Sequence, residues 1–285
     1  MNASFQKNIV ITGVSTGIGE GCARIFAARG YRVFGSLRKA SDAQTLQQEL
    51  GDQFVPLIFD VTDPEGLAKA VETVNEAVSG RGIDGLINNA GIAVSGPLLH
   101  ISRERMQQQL AVNVMGVLAV TQAFAPLLGA RANHPMAPGR ILNVSSVGGK
   151  IAMPFTGAYA ASKFGLEGMT HALRRELALY GIKVVIIAPG AVKTAIWNKT
   201  ALAGKFEETD YVPAIEKFEA LAEQEKSNAL TSEQLGGKML RIFEKPRPRT
   251  RYLLASNGAL LKVLTYLVPE NILDKIVQKQ FGLKS

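Results

Sequence analysis

Cysteine appears once in the 285 residues, at Cys22, and tryptophan once, at Trp197. A lone cysteine excludes an internal disulfide and any zinc site built from several thiolates, and it fits a reducing compartment. Histidine is nearly as scarce. His100, His134 and His171 fall in unrelated segments without metal-ligand spacing, so no metal is expected. The opening MNASFQKNIVITG has neither the long apolar run nor the small-residue cleavage site of a secretory signal, and a cytoplasmic location is expected. Internal repeats and low-complexity linkers are missing, and no nucleic-acid-binding motif accompanies the basic residues, so no nucleic-acid partner is expected.

The composition is otherwise that of an ordinary globular protein, 47% hydrophobic and 20% charged, in a chain long enough for one large α/β domain. A single domain over residues 1–285 is expected, with 256–285 as a helical tail. The net charge of +8 is lopsided. Residues 1–237 carry 22 Lys and Arg against 21 Asp and Glu, whereas residues 238–285 carry 10 against 3.

Apolar, β-branched runs recur along the chain: NIVIT (8–12), YRVFGS (31–36), FVPLIF (54–59), DGLIN (84–88), RILNVS (140–145), KVVIIA (183–188) and RYLLA (251–255). Most are continuously apolar, as strands covered on both faces of a parallel sheet should be. Amphipathic stretches lie between them. In IGEGCARIFAARG, Ile18, Cys22, Ile25 and Phe26 repeat at helical spacing and Gly30 ends the helix. In TDPEGL, Thr62 or Asp63 caps a helix with Pro64 in its first turn. Strand and helix in alternation predict a doubly wound, Rossmann-type α/β fold of about seven strands. Residues 191–230 read as loop plus short helices.

Two local patterns carry chemistry. The first strand runs into TGVSTGIG, where Gly13, Gly17 and Gly19 occupy a strand-to-helix turn. Missing side chains there let backbone approach a pyrophosphate, and the helix N-terminus offers it free N–H groups. The second is YAASK, which places Tyr159 and Lys163 on one helical face, four residues apart.

With NNAG at 88–91 between them, these motifs make the chain resemble the classical short-chain dehydrogenase/reductases, densely over about residues 7–195. SVGGKIAMPFTGAYAASKFGLEG and the tail from KPRPRTRY further resemble the hydroxysteroid and retinol dehydrogenase-like branch. The resemblance implies a nicotinamide cofactor and interconversion of a carbonyl and an alcohol. Tyr159 would be the general acid and base. Lys163 would lower its pKa from the usual 10 or so and hold the nicotinamide ribose. A serine some thirteen residues before the tyrosine would polarise the substrate oxygen, which selects Ser146, with Ser145 bonded to backbone. Asn113 would hold a water for proton relay to the lysine. Ser15, Asp60, Asn89, Gly91, Ile18, Pro189, Gly190 and Thr194 would contact the cofactor.

NAD-preferring members place an acidic residue at the end of the second strand. Here Leu37 is followed by Arg38 and Lys39, and a guanidinium suits a 2′-phosphate, so NADP(H) is expected over NAD(H), with Arg38 the discriminator and Ser15 a helper.

In such a fold the substrate lies over the strand C-termini, so residues 94–100, 148–157 and 191–230 should line its pocket. They supply Ile151, Met153, Phe155, Ile196, Trp197 and Phe206, a set suited to a lipophilic carbonyl or alcohol. The tail repeats Leu260, Leu261, Leu264, Leu267, Val268, Ile272, Leu273, Ile276 and Val277 at helical spacing, but Lys262 and Pro269 keep it short of a membrane span. It either packs over the cleft or a partner subunit, or rests on an anionic membrane surface. A homodimer or homotetramer is expected, through helices near 103–130 and 157–180. The alternative to an enzyme is a silent NADP(H)-binding sensor or scaffold, which would be expected to lose Tyr159, Lys163 or the serine. All are present.

Overall fold

The structure is a computed structural model that describes residues 7–194, 202 and 204–283. Every expected strand forms within a residue or two of its expected bounds: β1 (Lys7–Ile11), β2 (Tyr31–Leu37), β3 (Phe54–Ile58), β4 (Gly85–Asn88), β5 (Arg140–Val144), β6 (Lys183–Pro189) and β7 (Arg251–Leu254). They build one sheet in the order β3-β2-β1-β4-β5-β6-β7, every neighbour parallel. The order reverses between β1 and β4, and the crevice at that reversal is where an open α/β sheet binds its ligand.

The continuous apolar runs follow from burial on both faces. Along β1, Ile9 and Ile11 enter one core and Val10 the other; along β5, Leu142 and Val144 enter the first and Ile141 the second. The first face is covered by α1 (Gly17–Ala28), α2 (Gln44–Leu50) and α8 (Ser232–Phe243). Helices α1 and α8 approach closely through small residues. A Cβ on Gly21 would lie 2.6 Å from the Ser232 carbonyl carbon, and one on Gly236 would lie 3.0 Å from Gly21 O. Phe26, Tyr31 and Phe243 fill the end of this layer with edge-on rings 5.3 to 5.9 Å apart.

The second face carries α3 (Pro64–Ala77), α5 (Val117–Phe124) and α6 (Gly157–Glu176), with α4 (Arg103–Leu110) packed against α6. Asp63 caps α3, accepting from Glu65 N at 3.1 Å, with Pro64 next. Thr62 instead donates to Asp60. A π-helical segment, Ala111–Gly116, joins α4 to α5 in one helical run. Length and composition alone would let Arg103–Leu128 cross a membrane, but here the run packs against α3, α6 and β4.

A third, smaller cluster lies beyond the strand C-termini. It joins Phe155 and Leu202 to α7 (Val212–Ser227) and to the last helix, α10 (Glu270–Phe281), whose Phe281 is buried beside Phe218. Between β7 and α10, helix α9 (Gly258–Tyr266) places Leu261 against Gly190. The tail thus packs on its own chain beside the crevice, through Leu261 and Phe281, while Leu267, Ile272 and Ile276 stay exposed.

Candidate active site

The glycine-rich turn is shaped by contacts that leave no room for side chains. Gly13 and Gly17 take φ of +71° and +66°. A Cβ on Gly13 would sit 2.9 Å from Ala90 Cα, and one on Gly19 would sit 2.1 Å from Gly13 O. NNAG holds this turn from below. Thr12 Oγ1 accepts from Asn89 N and Ala90 N, at 2.9 and 3.0 Å, while Asn89 Nδ2 donates to Thr12 O and Gly13 O. Asn89, expected to line the cofactor groove, thus has its Nδ2 engaged by the loop backbone. Thr16, the residue before α1, makes no side-chain cap, so the first N–H groups of the helix point out of the turn without a protein acceptor from it. A bare backbone facing an uncapped helix N-terminus fits a dinucleotide pyrophosphate.

Most of the other residues expected to contact the cofactor lie in this turn or just past the C-terminal ends of β2, β3 and β6. Ser36 Oγ accepts from Gly13 N at 2.9 Å, tying the end of β2 to it. Leu37 is buried in the core, and Arg38 and Lys39 follow it as exposed cations. Ser15 and Ile18 are half-buried, Ile18 against the first core. Thr194 lies over the turn, its Cγ2 3.0 Å from where a Gly17 Cβ would be. Asp60 Oδ1 accepts from Thr62 N and Oγ1 at 2.9 and 2.7 Å, which orients the carboxylate at the end of β3. Pro189 ends β6, and Gly190 N donates to Leu254 O at 3.0 Å.

Along β4, β5 and α6 the chemistry converges. Ser146 Oγ accepts from Gly148 N at 3.0 Å, leaving its own hydrogen to donate. A Cβ on Gly148 would lie 3.3 Å from Tyr159 Cε1 and 3.4 Å from Ser146 Oγ, so the phenol ring and the hydroxyl flank the same glycine. Lys163 is buried, its Nζ 2.8 Å from Val144 O and 5.6 Å from the Tyr159 ring centroid. Burial pushes the lysine pKa down to about 8, with the Glu167 carboxylate working against that fall. Burial also pushes the Tyr159 pKa up, partly offset by its hydrogen bond with Ser146. The depressed phenol expected from the motif is thus opposed by desolvation. The cation beside the ring is itself less basic than a free lysine.

Ser145 departs from expectation. Its Oγ bonds not to backbone but to the buried Glu167, donating to Oε1 at 2.9 Å. Asn113 lies in the π-helical turn, 1% exposed, with Oδ1 accepting from Ile92 N and Nδ2 donating to Ile92 O and Ser162 Oγ. One turn earlier Gln109 repeats the arrangement, accepting from Val94 N at 2.6 Å and donating to Ile92 O at 2.9 Å. Sequence reading missed Gln109. It also missed a buried amide chain in which Asn88 donates to Asn143 and Thr121, and Asn143 to Thr170. Polar residues in otherwise apolar strands were the available signal.

On the substrate side, Ile151 and Phe155 are buried and Met153 and Phe206 are half-buried. Ile196 and Trp197 lie outside the described residues. Phe155 takes φ +65°, a left-handed conformation costly for a bulky residue, and its carbonyl accepts from Gly96 N at 2.8 Å.

The chain is similar to known oxidoreductases. An NADPH-dependent 3-dehydrocapnine reductase of Ornithobacterium rhinotracheale is 38% identical over 275 residues, covering 96% of this chain and 97% of that protein. Human retinol dehydrogenase 16 is 33% identical, covering 95% of this chain and 88% of its own. A short-chain dehydrogenase from Streptomyces avermitilis shares the fold with a TM-score of 0.77 at 24% identity, over 98% of this chain and 96% of its own. The short chain dehydrogenase model matches residues 7–203, the stretch that holds the glycine turn, NNAG, Ser146, Tyr159 and Lys163. The chain belongs to the short-chain dehydrogenase/reductase family of oxidoreductases.

Proposed function

We propose that the protein interconverts a carbonyl and an alcohol on a lipophilic small molecule, using NADP(H) in preference to NAD(H). The observation that carries the reading is the pairing of Ser146 Oγ and the Tyr159 ring around Gly148, with Lys163 one helical turn on. A substrate oxygen between the two hydroxyls would accept from Ser146, whose oxygen already accepts from Gly148 N and so is held with its hydrogen free to donate. Tyr159 would hand over the proton as the oxygen gains charge. The reduced nicotinamide supplies the hydride when bound. Lys163 holds a positive charge beside the phenol, and its burial keeps water from screening that charge.

Arg38, exposed just past β2, is the group suited to a 2′-phosphate, and Leu37 offers ribose hydroxyls no acceptor. The NADPH-dependent relative supports the same preference. A lipophilic substrate agrees with Ile151, Met153, Phe155 and Phe206 beyond the strand ends and with the retinol dehydrogenase likeness. The test is NADPH oxidation with a panel of aromatic, steroid and aliphatic carbonyls, run beside Tyr159→Phe. Turnover lost in Tyr159→Phe with NADPH binding kept supports the reading. NADPH binding without turnover on any carbonyl favours a sensor.

A specific surface favours peripheral membrane contact as well. Val263, Tyr266, Leu267, Ile272 and Ile276 are exposed on or beside α9 and α10, among Lys262, Lys275 and Lys279. Co-sedimentation with phosphatidylserine vesicles at low salt tests it, and no binding there rejects it. Met115 and Phe164, exposed on the helices expected to dimerise, support a homodimer, which light scattering would detect.

A further inference from the structure

Glu167 is 2% exposed and sits one turn beyond Lys163 on α6, where a lone carboxylate would be costly. It is paired from the far end of the chain. Arg251, on β7, donates through Nε to Oε1 and Oε2 at 3.1 and 3.0 Å and through Nη2 to Oε1 at 2.9 Å. The same guanidinium reaches two more places. Nη2 points at Ser146 O, 3.4 Å away, and Nη1 donates to Tyr266 OH on α9 at 3.0 Å. Glu167 Oε1 meanwhile accepts from Ser145 Oγ, and Lys150 Nζ lies 3.9 Å from Oε2. The packing has no slack, because a Cβ on Gly149 would lie 2.6 Å from both Glu167 Oε1 and Ser145 Oγ.

We infer that Arg251 is a positioning residue for the reaction. With Glu167 it clamps the Ser145–Ser146 backbone so that Ser146 Oγ faces Tyr159, and through Tyr266 it makes that clamp depend on the seating of the tail helix α9. This rests on the reading of Ser146 and Tyr159 as the reacting pair. Three features separate the clamp from an ordinary ion pair. One fork spans α6, the loop after β5 and α9. Its carboxylate also holds the serine neighbouring the reactive one. Arg251 also lies on the edge strand β7, three strands from β4 in the sheet, so it is remote from the glycine turn.

The experiment uses the full-length protein, NADPH and whichever carbonyl of the panel turns over fastest. It compares wild type, Arg251→Met, Arg251→Lys, Glu167→Gln, Tyr266→Phe and the Arg251→Met/Glu167→Gln pair. Arg251→Met is expected to lower kcat by about 10- to 100-fold, while the Kd for NADPH, read by fluorescence, changes by less than about 3-fold. Arg251→Lys should recover part of kcat. The double variant should exceed Arg251→Met, because no buried carboxylate is left unpaired. Tyr266→Phe should lower kcat about 2- to 5-fold at unchanged NADPH affinity, and it decides the matter if Arg251→Met does not fold.

A folded Arg251→Met with kcat within about 2-fold of wild type overturns the proposal, as does a loss of kcat matched by an equal loss of NADPH affinity. Equal kcat in Tyr266→Phe and wild type overturns the link to the tail. Tyr159→Phe, run alongside, separates the two failures. If it stays active, the catalytic reading itself has failed; if it is inactive while Arg251→Met is not, only the clamp has.

Discussion

Lys163 Nζ lies 5.6 Å from the centre of the Tyr159 ring and donates to Val144 O, held in the core rather than in solvent. Folding lowers its pKa from the ordinary 10.5 to about 8. Between those values the folded chain binds fewer protons than the unfolded one, so this residue costs stability below pH 8, and the cost fades as pH rises from about 8 to 10.5. Lys163→Met should therefore be inactive yet more stable at pH 7, by on the order of 1–2 kcal/mol after the lost bond to Val144 is allowed for. Thermal melts across pH 7 to 10 should show that gain shrinking, and an unchanged or lowered melting temperature at pH 7 would contradict it.

The same proton has a kinetic trace. The profile of kcat/KM for NADPH reports groups of the free enzyme, and in the proposed mechanism Lys163 must be charged to attract the cofactor and support Tyr159. The rate is expected to hold below pH 8 and fall as pH rises through about 8, the pKa of the buried lysine. A falling limb that persists unmoved in the residual activity of Lys163→Gln would assign it elsewhere.

Arg38→Ala should weaken NADPH binding by about 10- to 100-fold and NADH binding by less than about 3-fold, since only the former brings a phosphate to a guanidinium. Fluorescence titration with both nucleotides measures it. Equal losses would remove Arg38 as the discriminator.

Neighbouring glycines of α8 should respond with opposite signs. Gly236 has Gly21 O 3.0 Å from its Cβ position, so Gly236→Ala must push α8 away from α1 and lose about 1–3 kcal/mol. Gly237 has nothing within 4 Å of its own Cβ position, so Gly237→Ala should gain about 0.5–1 kcal/mol from helix propensity alone. Urea denaturation of both variants tests the pair.

Phe281 is 1% exposed at the end of α10, against Phe218. Phe281→Ala removes that anchor, and about 3 kcal/mol of local packing with it. Trypsin should then cut within 258–281 at least about 10-fold faster than in wild type, while the sheet core stays intact.

The strands were legible because strands buried on both faces must be largely apolar, and most of the seven runs were continuously so. The candidate site was legible for a local reason: Tyr159 and Lys163 are one helical turn apart, and the glycine turn follows its strand directly. What escaped was set by distance along the chain. Nothing near Ser145 announces Glu167, and nothing near Glu167 announces Arg251, which lies 84 residues away. Backbone bonding was the natural guess for Ser145 without them. Asn88, Asn143 and Gln109 form their bonds across strands and helices, so their roles depend on a register that pattern reading does not supply.

Among the described residues β7 is the last strand in sequence as well as an edge of the sheet, with Arg251 at its first position. A nascent chain released up to residue 250 has its glycine turn, its tyrosine and its lysine, but Glu167 has no guanidinium to bury against. The pairing of Glu167 is therefore completed only once β7 has been made. Synthesis closes the catalytic helix from behind, and a truncation that spares every motif residue would still leave a buried anion waiting for its partner.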